Sequence, residues 1–417
     1  MKRRDFLKGI TATGLASLVP VSWLSSCASE PDAPAWDFDR VMDRSGTWST
    51  KYGRATDGEI PMWIADMDFG TDPYVKEALL QRISRDGIGY TSTPDLFYEA
   101  IGSWEEKQHG FSVEREWIGF CPGVITSMNQ AYLTFTEPGD KIIVQPPVYD
   151  HFRLYIERLG RVAVDNPLIF RNGQYSMDFE GLEGLMDERT KMLVLCNPQN
   201  PCGTLWDKET MVRLAEVCER HGVMVISDEI HGDLSLYGRR LVPFCSVSEA
   251  AARIGMIFTG PTKAFNLAGI SNTAYFIIPD KEKRERYLAT LSRAKLNEAS
   301  IPTLVAVTSA YREDTTWLEA LKRYIEGNVE RVMQFFAEHE LGMVPLRPEA
   351  SFLVWIDCRK LGLTQEVLLE RFNKGAKIIP SNGSSYGTGG EGFIRLNIGC
   401  PRSVLEEALE RIRKEFS

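Results

Sequence analysis

The sequence predicts a mostly parallel α/β sheet over residues 76–295, followed by a smaller α+β domain over 296–417. Two patterns carry that expectation. Short apolar runs at 141–145 (KIIVQ), 191–196 (KMLVLC), 223–227 (VMVIS) and 256–259 (MIFT) read as strands buried on both faces, which is the habit of parallel sheets. Between them lie segments with helical spacing. One, at 208–221, ends at Gly222, a residue suited to a helix C-terminus. Beyond residue 300 the alternation stops. A long helical stretch is expected over 302–339, strands over 352–356 and 393–397, and a terminal helix over 403–416. That order of elements marks a second domain of mixed type, which residues 36–75 are expected to join.

Composition narrows the function. The 417 residues are 43% hydrophobic and 25% charged, enough for a large core and two domains and unlike disordered, collagenous or coiled-coil chains. Lys and Arg number 48 against 57 Asp and Glu, a net charge of −9, so a nucleic-acid footprint is not expected. The five histidines (109, 151, 221, 231 and 339) have no metal-ligand spacing, and the eight cysteines contain no C-x-x-C pair. No metal site is expected.

Residues 1–26 differ in kind. Arg3-Arg4-Asp5-Phe6-Leu7-Lys8 precedes a modestly apolar run from Ile10 to Leu24, too short and polar to span a bilayer and suited to an export signal. The paired arginines resemble a twin-arginine (Tat) signal. Leu24-Ser25-Ser26-Cys27 resembles a lipobox, which would lipidate Cys27. Residues 27–35 then serve as a tether. The expected location is periplasmic or membrane-anchored, and cytoplasmic if the signal is not used. With Cys27 set aside, seven cysteines remain, several in apolar runs. Free buried thiols are expected rather than a disulfide frame.

In such sheets ligands bind beyond the carboxyl ends of the strands. Gly387-x-Gly389-x-x-Gly392 matches a dinucleotide fingerprint literally, but it precedes a strand instead of joining strand to helix, so that reading is discarded. Four strand-end segments remain. Asp228 follows VMVIS and could set a fixed negative charge against a protonated ring nitrogen, or simply cap a helix. Lys263, in TGPTKAFN after MIFT, is costly at a buried strand end unless paired or covalently engaged. Asn200, in NPQNPCG, could offer an amide to a phenolic oxygen or form a turn. Tyr149, in PPVYDHF, could stack on a flat ligand or fill core.

Together, in this order, these segments resemble the fold-type-I pyridoxal-phosphate (PLP) enzymes of the class I/II aminotransferase superfamily. PMWIADMDF (61–69), IGYTST (88–93), PPVYDHF (146–152), NPQNPCG (197–203), SDEIHGD (227–233) and FIRLNIGCPRS (393–403) resemble its MalY/PatB branch, the cystathionine β-lyase or C–S lyase group. The resemblance implies that Lys263 binds PLP covalently and then moves the Cα proton, and that Asp228 pairs with the pyridine nitrogen. It assigns Asn200 and His231 to the phenolic oxygen and Tyr149 to stacking on the ring. It gives the phosphate the helix opening at Gly123-Val124-Ile125 with Thr262, and Tyr90 from the neighbouring protomer of a homodimer. Arg395 is implied as the clamp for the substrate α-carboxylate, with Trp63 and Ile64 lining the substrate side. Three departures stand out: Gly260 where many relatives carry a phosphate-binding Ser, Ser271 where they carry an Arg, and Cys202 for the usual Thr. The implied reaction is β-elimination from S-substituted cysteines such as cystathionine, yielding thiol, pyruvate and ammonia. A transaminase uses the same residues, and a PLP-binding regulatory protein is a third reading.

Overall fold

The computed structural model describes residues 36–417 other than 57, 271, 272 and 313. The expected export signal and tether, Cys27 and Ser271 lie outside the described residues.

Seven strands form the principal sheet: β1 (Ile118–Cys121), β2 (Lys141–Val144), β3 (Val162–Asp165), β4 (Thr190–Cys196), β5 (Met224–Asp228), β6 (Gly255–Thr259) and β7 (Ala274–Ile277). Their order is β1-β7-β6-β5-β4-β2-β3. All neighbours run parallel except β7, which is antiparallel to both β1 and β6. The apolar runs occupy its centre for a direct reason. Ile142, Val144, Met192, Val194, Ile226, Met256 and Phe258 are all at most 1% exposed, packed with Met128, Phe152 and Tyr287. Each such side chain contributes roughly 1.5–3 kcal/mol by leaving water.

Helix α1 (Val124–Phe135) follows β1, and α2 (Lys208–Arg220) links β4 to β5. Helix α2 starts where Asp207 accepts a bond from Thr210 N, a side-chain cap. Its buried residues Met211, Leu214, Ala215, Val217 and Cys218 recur at helical spacing.

The smaller sheet is antiparallel, with order β8-β9-β11-β10, where β8 is Val344–Pro345, β9 Leu353–Asp357, β10 Ser381–Asn382 and β11 Phe393–Asn397. A separate parallel pairing joins Ile60–Pro61 to Ile378–Ile379. Residues Phe38–Ser417 make one compact unit.

The helical stretch expected over 302–339 is two helices, α3 (Ile301–Ala310) and α4 (Trp317–Glu338). The sequence between them contains Asp314-Thr315-Thr316, residues that compete with helix backbone for hydrogen bonds. Arg312 donates to Asp72 (2.8 Å) and to Ser309 O (3.0 Å), and Trp317 stacks on Phe265 at 5.5 Å. The break is held from both sides. The terminal helix, α5, is Arg402–Phe416.

Cysteines 121, 196, 202, 218, 245, 358 and 400 are all buried and free. Burial pushes the thiols of Cys121, Cys218 and Cys400 up to about 12 and that of Cys202 to about 11. No described helix is long and apolar enough to cross a membrane, and no group of described residues could hold a metal ion.

Candidate active site

The carboxyl ends of β4, β5 and β6 lie side by side, with Cys196 opposite Asp228 and Asp228 opposite Phe258. A cavity of about 760 Å³ opens there, lined by 11 of the 12 residues singled out in the sequence: Trp63, Ile64, Val124, Ile125, Tyr149, Asn200, Asp228, His231, Thr262, Lys263 and Arg395. Tyr90 is not among them. It stands fully exposed on the loop after the Pro73–Ile83 helix, so this single chain does not bring it to the cavity.

Asp228 ends β5 and is buried, with Ile230 N donating to Oδ1 at 3.1 Å. Burial raises its carboxyl from 3.8 to about 6, against the opposing pull of that bond and of the Lys263 charge. One backbone donor is thin solvation for a buried carboxylate, which calls for a cationic partner. Lys263 Nζ donates to Ala65 O at 2.9 Å. Burial, aided by the Arg395 charge, lowers its pKa although Asp66 and Asp228 oppose the shift. An amine so placed loses its proton more readily and becomes a better nucleophile.

Arg395, in the middle of β11, lies opposite Trp355 and Ser381 on the adjoining strands. Nη1 donates to Asn200 Oδ1 at 2.8 Å, and Nη2 to Trp63 O at 2.7 Å and Ser381 Oγ at 3.0 Å. Its buried Nε has no hydrogen-bond partner. Among the described residues no carboxylate lies within ion-pairing distance of this guanidinium. Three neutral oxygens hold it in place and leave its charge for an incoming carboxylate.

Burial, with the charges of Lys263 and Arg395, holds the His231 imidazole well below its usual pKa, hence neutral. Ser351 Oγ lies 3.0 Å from Nδ1. With Nδ1 engaged by this hydroxyl, Nε2 is left to meet a ligand. Ser351 is kept at φ +74°, a conformation non-glycine residues seldom adopt. Asn200, with its oxygen on Arg395, keeps its NH₂ free for a second donation.

At the other end, α1 begins at Gly123 (φ +103°) without a side-chain cap, leaving first-turn N–H groups for an anion. Thr262 Oγ1 bonds Thr273 O at 3.0 Å and lies 2.9 Å from Thr273 Oγ1. A Cβ on Gly260 would come within 2.4 Å of Thr273 O and 2.9 Å of Ala274 Cα. The close approach of Thr273 and Ala274 therefore excludes a side chain at 260, and the α1 start and the Thr262 hydroxyl are among the polar groups at this end of the cavity. Tyr149 stacks on His151 (4.7 Å, 5° between planes), and Asp150 holds that imidazole at 2.7 Å. One face of the phenol is thus supported from behind.

Sequence reasoning missed Ser351, Ser381, Thr273, His151 and Arg54. Their types carry no signal of their own. Ser351 and Ser381 meet His231 and Trp63 far along the chain, whereas Thr273, His151 and Arg54 act on nearby residues, and His151 lies inside the PPVYDHF segment.

The chain matches, over residues 60–412, the family described as aminotransferase class I and II. It is 40% identical to cystathionine beta-lyase PatB of Bacillus subtilis (91% of this chain, 100% of the relative) and 33% identical to protein MalY of Escherichia coli (90% and 97%). Cystalysin from Treponema denticola, whose crystal structure contains a pyridoxal 5'-phosphate cofactor, superposes with a TM-score of 0.87 at 30% identity, covering 91% of this chain and 98% of that one. The chain belongs to the class I and II aminotransferase family, in its MalY/PatB-type branch.

Proposed function

We propose that this protein is a PLP-dependent carbon–sulfur β-lyase that converts S-substituted cysteines such as cystathionine to thiol, pyruvate and ammonia. The observation that carries the reading is the single cavity holding Lys263, Asp228 and an ion-pair-free Arg395, in a chain 40% identical over nearly its whole length to a cystathionine beta-lyase. The cavity fits the cofactor. Asp228 calls for a cation, Lys263 is a buried amine with a lowered pKa, and an uncapped helix start waits for a phosphate.

Bound PLP supplies an electron sink for the pair left when the Cα–H bond breaks. The remaining work falls to the chain. Arg395 fixes the α-carboxylate and so orients the Cα–H bond. Lys263, buried and readily deprotonated, takes the Cα proton. Asp228 holds a proton on the ring nitrogen by its negative charge. Asn200 and His231 donate to the phenolic oxygen, and Tyr149 covers one face of the ring. Incubation with cystathionine, without added keto acid, should release pyruvate and free thiol together. Turnover only when a keto acid is supplied would make the protein a transaminase instead.

Asp228→Asn should lower elimination by about a hundredfold or more, through loss of the charge opposite the ring nitrogen. Its effect on stability has the opposite sign. For an acid whose folded pKa is raised, stability is full below the unfolded value of 3.8 and is lost as pH rises through about 6. The cofactor-stripped variant should therefore gain up to about 3 kcal/mol near pH 8 and almost nothing near pH 4, as urea unfolding at the two pH values would measure.

We also propose that the enzyme is a homodimer. The full exposure of Tyr90, with Ile88, Leu80 and Ile83 also exposed nearby, supports a partner surface there. Export by the twin-arginine route with anchoring at Cys27 is proposed on sequence grounds: PLP is made inside cells, and that route carries folded proteins with their cofactors. In cell fractions, lyase activity and PLP absorbance should follow the membrane for the native chain and shift to the cytosol for Arg3→Lys/Arg4→Lys. A native chain that stays cytosolic with residues 1–26 intact would overturn the export reading.

A further inference from the structure

Three cationic side chains other than histidine line the cavity: Lys263, Arg395 and Arg54. The first two have roles above. Arg54 caps the short Thr50–Gly53 helix and lies over the Trp63 ring, 5.0 Å from its centroid. It has no hydrogen bond from its guanidinium and no carboxylate within ion-pairing distance among the described residues. Among the described residues the acids nearby in sequence are already engaged, Glu59 by Thr56 N and Oγ1. Asp66 pairs with Arg44 at 3.1 Å and Asp68 with Lys51 at 2.7 Å.

Trp63 separates the two arginines. Its carbonyl accepts from Arg395, and its ring carries Arg54. The indole is itself tethered, Nε1 donating to Lys51 O at 3.3 Å. A substrate whose α-carboxylate sits on Arg395 and whose carbon chain runs along Trp63 arrives at Arg54 with its far end. Leu369 and Ile379 line the same cavity and suit a thioether chain. Asn373 lines it too. An exposed guanidinium at the cavity edge, stacked on an indole and without a protein carboxylate, is available to an incoming anion.

We infer that Arg54 forms a distal subsite for a carboxylate on the sulfur substituent. The preferred thioethers are then those with an anionic far end, as in cystathionine or S-carboxyalkyl cysteines, rather than S-alkyl cysteines. The inference rests on the β-lyase reading and deepens it by naming the substrate class. The Trp63 face gives the guanidinium a fixed direction.

The test compares pyruvate release by the holoenzyme from S-(2-carboxyethyl)cysteine and from S-propylcysteine. Arg54→Gln should lower kcat/KM for the carboxylated substrate roughly 10- to 100-fold, mainly through KM, and leave S-propylcysteine unchanged. Arg54→Lys should recover part of the loss. A second measurement needs no turnover: calorimetric binding of 3,3'-thiodipropionate against 3-(propylthio)propionate, thioether acids that lack the amine. The wild type should favour the dicarboxylate by about tenfold, and Arg54→Gln should erase that preference. Equal losses on both substrates, or no preference in binding, would overturn the subsite and leave the lyase reading intact. A binding preference without pyruvate from either substrate would overturn the lyase reading and leave the subsite standing.

Discussion

Lys263→Ala is expected to lower pyruvate release at least about a thousandfold. In the proposed mechanism Lys263 is both the covalent attachment of the cofactor and the base that moves the Cα proton, and a positioned general base alone contributes roughly a hundred- to ten-thousandfold. The structure gives a reason for so large a loss. Nζ is held toward Ala65 O, next to Asp228 and Arg395, in a buried cavity. Among the described residues no other lysine lines that cavity, so no neighbour can take over. Borohydride reduction of the native holoenzyme followed by peptide mapping should place the pyridoxyl group on Lys263. Recovery of the label on another lysine would remove the basis of the mechanism. Small exogenous amines should restore a fraction of the variant's activity, as expected when the missing group is an amine rather than a structural element.

The second large effect is Arg395→Ala. A buried charge pair broken from one side costs roughly 2–5 kcal/mol, which appears here as a loss in kcat/KM for amino-acid substrates. Loss of the guanidinium also strands Asn200 Oδ1, whereas Trp63 O and Ser381 Oγ, its other two acceptors, keep the bond that Ser381 Oγ donates to Trp63 O. A control must therefore separate binding from folding. An amine that carries the same thioether but no carboxylate should lose little activity in the variant. If it loses as much as the amino acid, the residue acts through the architecture of β11. Arg395→Lys should not rescue fully, because one ammonium cannot replace a fork that makes three bonds and still faces a carboxylate.

Much of this site was legible in the sequence because strand ends are. Asp228, Lys263, Asn200 and Tyr149 follow apolar runs that only a buried parallel sheet accommodates, and ligands gather beyond such strands. His231 rides with Asp228 in the same loop. What the sequence could not reveal was cooperation across distance. His231 Nδ1 meets Ser351 Oγ, 120 residues away, and the need for glycine at position 260, where many relatives carry a serine, comes from the backbone of Thr273 and Ala274. The break between α3 and α4 was hidden because Trp317 and the residues after it resume the helical periodicity; the contacts of Arg312 with Asp72 and of Trp317 with Phe265 are tertiary. Arg54 looked like any surface arginine until the fold placed it beside a tryptophan at the mouth of a cavity.

The buried cysteines bear on what the enzyme must live with. A carbon–sulfur lyase sheds a thiol at every turnover, so its surroundings fill with sulfur nucleophiles and, where oxidants are present, with small disulfides. Thiol–disulfide exchange needs an accessible thiolate or an accessible disulfide on the protein. Across residues 36–417 the chain offers neither. Every cysteine is inside and unpaired, and burial keeps the sulfurs protonated at any physiological pH. Even Cys196, at the cavity wall, spends its thiol on Pro198 O at 3.3 Å and accepts from Asn200 N at 3.4 Å. Such a fold can accumulate its own product without becoming cross-linked to it.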